Sequence, residues 1–150
     1  MAEKLISLNR KASHEYFLEE RFEAGLVLVG TEIKSIRQGK VQFKDAYISI
    51  INNEAFIKEM HIATYAQGNR YNHEETRERK LLLNKSEIRK LKQKVQLKGY
   101  TIVPVKLYLK NGKAKLEIAL AKGKDLYDKR QSDKERDAKR EIEKAMKQRY

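Results

Sequence analysis

The chain has 150 residues, with 34 Lys and Arg against 21 Asp and Glu, and a formal net charge of +13 at pH 7. That surplus exceeds the roughly 2–8 charges that solubility asks of a small domain and points to a polyanion, nucleic acid before an anionic membrane. No apolar stretch approaches the roughly 18–20 residues of a spanning helix, the first residues lack the apolar core of a secretory signal, and the absence of Cys removes disulfides and thiolate chemistry and suits a reducing cytoplasm.

In chain order, residues 1–13 are polar and basic, with only Leu5, Ile6 and Leu8 to pack, so a frayed end is expected. Residues 14–22 read as a strand with Tyr16, Leu18 and Phe22 on one parity, Glu20 spoiling the pattern and Gly25 marking a bend. Residues 26–29, Leu-Val-Leu-Val, predict a buried continuation of it. A short helix over 31–38 follows, capped by Gly30 or Thr31 and ended by Gly39, with Lys34 and Arg37 three residues apart on one face. Residues 46–51 and 55–62 predict a hairpin around Asn52-Asn53-Glu54. Residues 65–78 predict a long polar loop. A second helix begins at Asn84, with Glu87 in capping-box spacing, an apolar stripe of Ile88, Leu91 and Val95, and Gly99 as its stop.

Residues 100–121 give the clearest pattern, two alternating runs around Asn111-Gly112, with Pro104 expected at an edge or a bulge. Residues 122–150 then hold 11 Lys/Arg and 7 Asp/Glu with few apolar side chains. Such a segment cannot bury enough surface to fold alone, yet Ala138, Ile142, Ala145 and Met146 form one helical stripe, so it predicts a tail that is disordered alone and becomes a helix against a partner. The expected architecture is mainly β with short helices: an antiparallel barrel over 1–121 built from five or six strands, of the oligonucleotide-binding (OB) type, with a six-stranded barrel of another topology fitting as well, and a basic tail over 122–150.

No catalytic constellation stands out. His14, His61 and His73 show no metal-ligand spacing, the neighbouring carboxylates of Glu19-Glu20 and Glu74-Glu75 read as solvated charge, and the glycines form no phosphate loop. His61 reads as structural, and His14 is the one His placed to contact a nucleic acid. Basic residues interleaved with aromatics remain: Tyr65, Arg70, Tyr71 and Arg77 in the loop, and Lys106 and Tyr108 on the outward side of a strand. Cations hold phosphates and rings stack on unpaired bases, so the residues alone suggest a nucleic-acid binder without saying which kind.

Five stretches, in order, resemble the SmpB family, the SsrA-binding proteins of bacterial trans-translation: Asn9-Arg10-Lys11-Ala12 with His14; Glu23-Ala24-Gly25-Leu26 through Gly30 to Lys40; Arg79-Lys80-Leu81-Leu82-Leu83; Lys98-Gly99-Tyr100-Thr101; and Leu120 to Lys124 with Asp128-Lys129-Arg130. The resemblance implies an OB-like barrel that binds the tRNA-like domain of transfer-messenger RNA (tmRNA), without an enzymatic activity, a cofactor or a metal. It also implies a tail that enters the empty mRNA channel of a stalled ribosome near the small-subunit decoding centre, and a cytoplasmic monomer, one per tmRNA. Carried over by motif, the RNA-facing residues are Asn9, Lys11, His14, Glu23, Lys34, Arg37, Lys40, Leu82, Lys115, Lys122 and Lys124; Leu82 fits a core position equally well. The ribosome-facing residues are Tyr127, Asp128, Lys129, Arg130, Ile142 and Met146. The chain departs from the family pattern at Tyr127, where many relatives have His, at Thr31, where many have Trp, and at Glu74-Glu75, where many have Asp-Pro; no contacts are carried onto residues 66–78. A general single-strand-binding OB module and a basic ribosomal structural protein are the rival readings.

Overall fold

The structure, a computed structural model, describes residues 3–65, 72–97 and 99–124. The elements run β1 (Glu3–Leu8), α1 (Arg10–Glu15), β2 (Tyr16–Leu26), α2 (Gly30–Arg37), β3 (Val41–Gln42), β4 (Tyr47–Ile51), β5 (Glu54–Lys58), β6 (His61–Ile62), β7 (Arg79–Leu82), α3 (Lys85–Val95), β8 (Tyr100–Lys110) and β9 (Lys113–Gly123). Asn111 and Gly112 take φ of 52° and 78°, the left-handed pair a two-residue hairpin requires, and β8 and β9 form the expected hairpin. Asn52 and Asn53 do the same between β4 and β5, with φ of 52° and 61°.

Seven strands form one antiparallel sheet in the order β1-β8-β9-β2-β7-β5-β4, and β3 pairs with β6 in a separate ribbon. The free edge of β8 is used twice. Its second half pairs with β1, while its first half lies beside β4 with no ladder between them, which curls the sheet into an OB-like barrel. Leu107, Leu116, Ile118, Ile57, Leu81 and Ile36 fill the interior, and α3 closes one end by burying Ile88 and Leu91.

Besides a bulge between Leu5 and Ser7 in β1, bulges in β2 and β8 decide which side chains face in. Between Leu18 and Arg21, β2 carries one residue more than β9, which reverses its parity. Phe22 and Ala24 therefore enter the core, whereas Tyr16 and Leu18 pack outside it with Ala12, Val103 and Ala121, beneath α1. The spoiled alternation at Glu20 is this bulge. The second lies between Pro104 and Lys106 on β8, in agreement with the edge or bulge that Pro104 demands. It moves Leu107 and Leu109, but not Val103, to the inner face. The bulge is pinned by Asn9, whose side-chain amide donates to the Pro104 carbonyl at 2.8 Å and whose backbone N–H donates to the Val105 carbonyl at 2.8 Å.

Several expectations are corrected. The N-terminus is not frayed: residues 3–8 pair with β8 as an edge strand. Residues 27–29 are no buried strand, because β2 ends at Leu26, the Val27 amide turns to the Lys80 carbonyl, and Val27 and Val29 are each 44% exposed. Val29, not Gly30 or Thr31, precedes α2 as its cap, with the Glu32 carboxylate accepting from the Val29 amide at 2.9 Å. The second hairpin strand stops at Lys58, and His61–Ile62 joins β3 instead. Among the described residues, nine strands and three helices replace the five or six strands and two helices expected, and β9 runs two residues past Ala121.

The described part of the 65–78 loop is tightly held. Glu32 and Arg79, both fully buried, meet at 2.5 Å, and Arg77 donates to the other Glu32 oxygen at 2.6 Å. Arg79 also donates to the carbonyls of Met60 at 2.5 Å and Glu75 at 3.1 Å. His73 is buried: its Nε2 faces the Ile62 carbonyl at 2.9 Å, so that nitrogen carries the proton, and Nδ1 accepts from the Thr31 hydroxyl at 2.8 Å. His61 meets Glu75 at 2.6 Å. Burial opposes ionisation of Glu32, but the bonds from Arg77 and Val29 and the charge of Arg79 outweigh it and hold the carboxyl below its ordinary value of 4.5.

Because Glu32→Ala leaves Arg79 buried without its counter-charge, it is expected to cost about 3–5 kcal/mol of stability at pH 7, read by guanidinium unfolding. A group whose folded pKa is lowered stabilises above its unfolded value, so in the wild type this contribution fades as pH falls below about 4.5, and the Glu32→Ala chain lacks that part of the acid dependence.

Candidate nucleic-acid interface

The cross-strand registers bring one set of the expected residues into a single row. Leu82 on β7 pairs with Gly25 on β2, Gly25 with Lys115 on β9, Lys115 with Tyr108 on β8, and Tyr108 with Leu5 on β1. Partners in register share a face, so these five residues cross the outside of the sheet in one line. Leu82 is 56% exposed and Leu5 equally so, which excludes the core position Leu82 could have taken. Gly25 keeps the line low: a Cβ there would lie 3.3 Å from the Leu82 Cβ. The next row is Glu23, Glu117, Lys106 and Leu8. Glu117 pairs loosely with Arg21 at 3.6 Å and Lys106 at 3.8 Å, and the Lys106 ammonium stands 5.2 Å from the Tyr108 ring centre.

Glu23 sits in this face as a carboxylate already engaged. The Tyr108 hydroxyl donates to it, and Lys110 lies 3.6 Å away. The Tyr108 bond, helped by Lys110 and Lys115, lowers the Glu23 pKa in spite of some desolvation. Burial and the same carboxylate raise that of Tyr108. The phenol is therefore a neutral donor committed to Glu23, and its ring, buried in the outer face, lies beside the Lys106 ammonium.

A second group gathers at α1. Asn9 precedes the helix and staples the β8 bulge, so its amide is committed to the fold. Lys11 is exposed and bonds Asp45 at 3.2 Å, and this bond, with Glu15, raises its pKa. A cleft of about 370 Å³ opens here, lined by Asn9, Lys11, Glu15, Tyr16, Lys44 and Tyr47 among others. His14 lies in the last turn of α1, half-buried. Lys124 donates from its backbone to Glu15 and from its ammonium to Ser13, both on α1, at 2.9 and 3.0 Å. Lys122 is exposed on β9 in register with Phe17 and Tyr100, on the face of the sheet opposite to that of Ala121 beneath α1.

The third group is α2. Lys34, Arg37 and Lys40 are all exposed, and Lys34 stands 5.3 Å from the Tyr65 ring centre. Tyr65 and Asn72 exchange two hydrogen bonds, at 2.8 and 2.5 Å, which tie together the ends of segment 66–71. The sheet face thus joins Glu23, Leu82 and Lys115; α1 and the end of β9 join Asn9, Lys11, His14, Lys122 and Lys124; and Lys34, Arg37 and Lys40 stand on and just after α2. Tyr127, Asp128, Lys129, Arg130, Ile142 and Met146 lie outside the described residues.

Sequence reasoning passed over Phe17 and Leu5 as surface residues. Phe17 falls on the parity opposite to Tyr16 and Leu18, and an aromatic off the apolar parity of a strand was the available signal. Among the described residues no three His, Asp or Glu side chains converge as a metal ion would require, and no helix is long and apolar enough to cross a membrane.

The family model described as SmpB protein matches residues 6–148. The chain is 59% identical over 146 residues to an SsrA-binding protein of Shouchella clausii, covering 97% of this chain and 94% of the relative. It is 59% identical over 140 residues to an SsrA-binding protein of Desulfitobacterium hafniense, covering 93% and 90%. A solved chain described as "tmRNA-SmpB: a journey to the center of the bacterial ribosome" superposes with a TM-score of 0.68 at 43% identity, covering 80% of this chain and 85% of that one.

If the Tyr108 hydroxyl holds Glu23 as described, Tyr108→Phe raises the Glu23 pKa toward its ordinary 4.5, as followed by carboxyl NMR titration; an unmoved pKa would place the cause on the lysines alone.

Proposed function

Because the chain belongs to the SmpB family, we propose that it binds the tRNA-like domain of tmRNA and delivers it to stalled ribosomes for trans-translation. The barrel, which runs through Lys124, holds the RNA, and the residues that follow enter the empty mRNA channel at the decoding centre of the small subunit. The chain works by binding, not by catalysis, as a cytoplasmic monomer with one copy per tmRNA. The high identity to relatives named SsrA-binding protein supports this reading over a general single-strand binder.

The observation that carries it is the row Leu82, Gly25, Lys115, Tyr108, Leu5, with Glu23 alongside. A folded RNA offers phosphates, ribose hydroxyls and splayed bases together. Lys115 and Lys106 supply cations, the buried Tyr108 holds the Glu23 carboxylate in place beside them, and Leu82 and Leu5 offer apolar shoulders for a base or sugar face. Lys34, Arg37 and Lys40 add a cationic ridge at α2, where helical spacing sets charges along a phosphate backbone. Asn9 contributes by shaping the β8 bulge, Lys11, His14 and Lys124 extend the basic surface around α1, and Lys122 adds a cation at the end of β9.

Replacing Arg37 or Lys40 by Ala is expected to weaken binding of the tRNA-like RNA and to flatten the log K against log salt slope by roughly 0.7–0.9 for each phosphate no longer neutralised. Unchanged slopes in both variants would remove these residues from the interface. Ending the chain after Lys124, where β9 and its ties to α1 are complete, is expected to spare most tmRNA affinity and to abolish ribosome rescue. A fall in affinity as large as that of the whole interface would overturn the division of labour. Competition between the tRNA-like domain and an unstructured RNA separates this function from general single-strand binding, which predicts no preference.

A further inference from the structure

At the far end of β9 a second cross-strand row runs Phe17, Lys122, Tyr100. It lies seven residues beyond Lys115, roughly 23 Å along the strand, and on the opposite parity, so it is not a continuation of the Lys115 row. Phe17 is 46% exposed although it stands within a paired strand. Cations lie over both rings: the Lys124 ammonium is 5.0 Å from the Phe17 centre and the Lys122 ammonium 5.9 Å from that of Tyr100. Glu19, set free of the regular alternation by the β2 bulge, accepts from the Tyr100 hydroxyl at 3.1 Å and fixes that ring from the other side.

A phenylalanine this exposed gains little from the core. Its neighbours are cationic rather than apolar, which suits an anionic partner better than a hydrophobic protein surface. A single nucleotide matches the arrangement: its base offers a π-face to the ring, and its flanking phosphates offer charge to two lysines already beside it. We propose that Phe17, with Lys122 and Lys124, forms a stacking site for one unpaired nucleobase of a bound RNA, separate from the Lys115 row. The inference rests on the RNA-binding reading above and adds a residue and a ligand chemistry to it. Tyr100 is the supporting wall, held by Glu19, and Lys124 is kept near the ring by its bond to Ser13. Stacking of this kind is tolerant of sequence but favours purines, which overlap the ring more fully.

The test uses the full chain and an eight-nucleotide oligoadenosine RNA with 2-aminopurine at one central position. The wild type is expected to bind it and quench the 2-aminopurine emission. Phe17→Ala should weaken binding by roughly 5- to 150-fold, the range of one base–aromatic stack, and remove the quenching. Phe17→Leu, which keeps apolar bulk but no π-face, should behave like Phe17→Ala, while Phe17→Trp should retain both signals. Lys122→Ala should flatten the salt slope by roughly 0.7, and Phe17→Ala should leave that slope alone. Wild-type binding by Phe17→Leu, unaltered quenching in Phe17→Ala, or no binding of the octamer by the wild type would each overturn the site. Binding of the tRNA-like domain, measured in parallel with wild type and Arg37→Ala, tells the two readings apart. If it persists and depends on Arg37 while the octamer ignores Phe17, only the stacking site fails; if the wild type binds neither RNA, the RNA-binding reading fails with it.

Discussion

The ion pair between Glu32 and Arg79 is the constraint on which the arrangement of the binding elements depends. Both side chains are wholly buried, and burying two charges costs several kcal/mol per ion. The pair holds because its polar atoms are so fully used: Glu32 serves Arg77, Arg79 and the Val29 amide, and Arg79 also serves carbonyls at Met60 and Glu75. Those partners belong to α2, to the turn after β5, to the loop before β7, and to β7 itself. One carboxylate therefore sets the start of α2 and, through it, the direction in which Lys34 and Arg37 project. His73, between Thr31 and Ile62, fixes the same helix from its other side.

The second constraint is the pair of bulges in β2 and β8. An unbroken alternation would have given the sheet one inner and one outer face along its whole length. The extra residue in each strand exchanges the faces partway, so the outer side is apolar under α1 and polar and basic beyond it. Asn9 connects the two halves, since the residue that begins α1 also satisfies the carbonyls that the β8 bulge leaves over. A helix and an open binding face are thus products of the same irregularity.

What could be read from the chain follows from how local the determining interactions are. The β8–β9 hairpin was legible because Asn111-Gly112 and the alternation of β9 lie within a few residues of one another. The stop of α2 was legible for the same reason, through Gly39 at positive φ, whereas α3 ends at Val95, short of the Gly99 expected to stop it. Strand β1 was not, because its partner is about a hundred residues away and it turns Leu5 and Leu8 outward. The run 26–29 misled because apolar content was taken for burial, whereas the Val27 amide and the Val29 cap are set by Lys80 and Glu32, distant or helical partners that no strand pattern contains. In the candidate interface, the charged members could be named from motif and spacing, and Leu82 could not be told from core. Its exposure depends on Gly25 opposite, a relation of register between strands. Phe17 escaped because the β2 bulge, not the composition around it, decides where an off-parity ring points.

The two bonds from Lys124 to α1 also have a mechanical meaning. They anchor Lys124, just after β9, to the first helix, at Ser13 and Glu15. A pull on the chain beyond that point, directed along β9, meets ladders to β2 and β8 on both flanks. Such a load shears many hydrogen bonds at once instead of peeling them one by one, the geometry in which a sheet resists most. The strand that carries such a tension is the same strand that carries Lys115 on its surface.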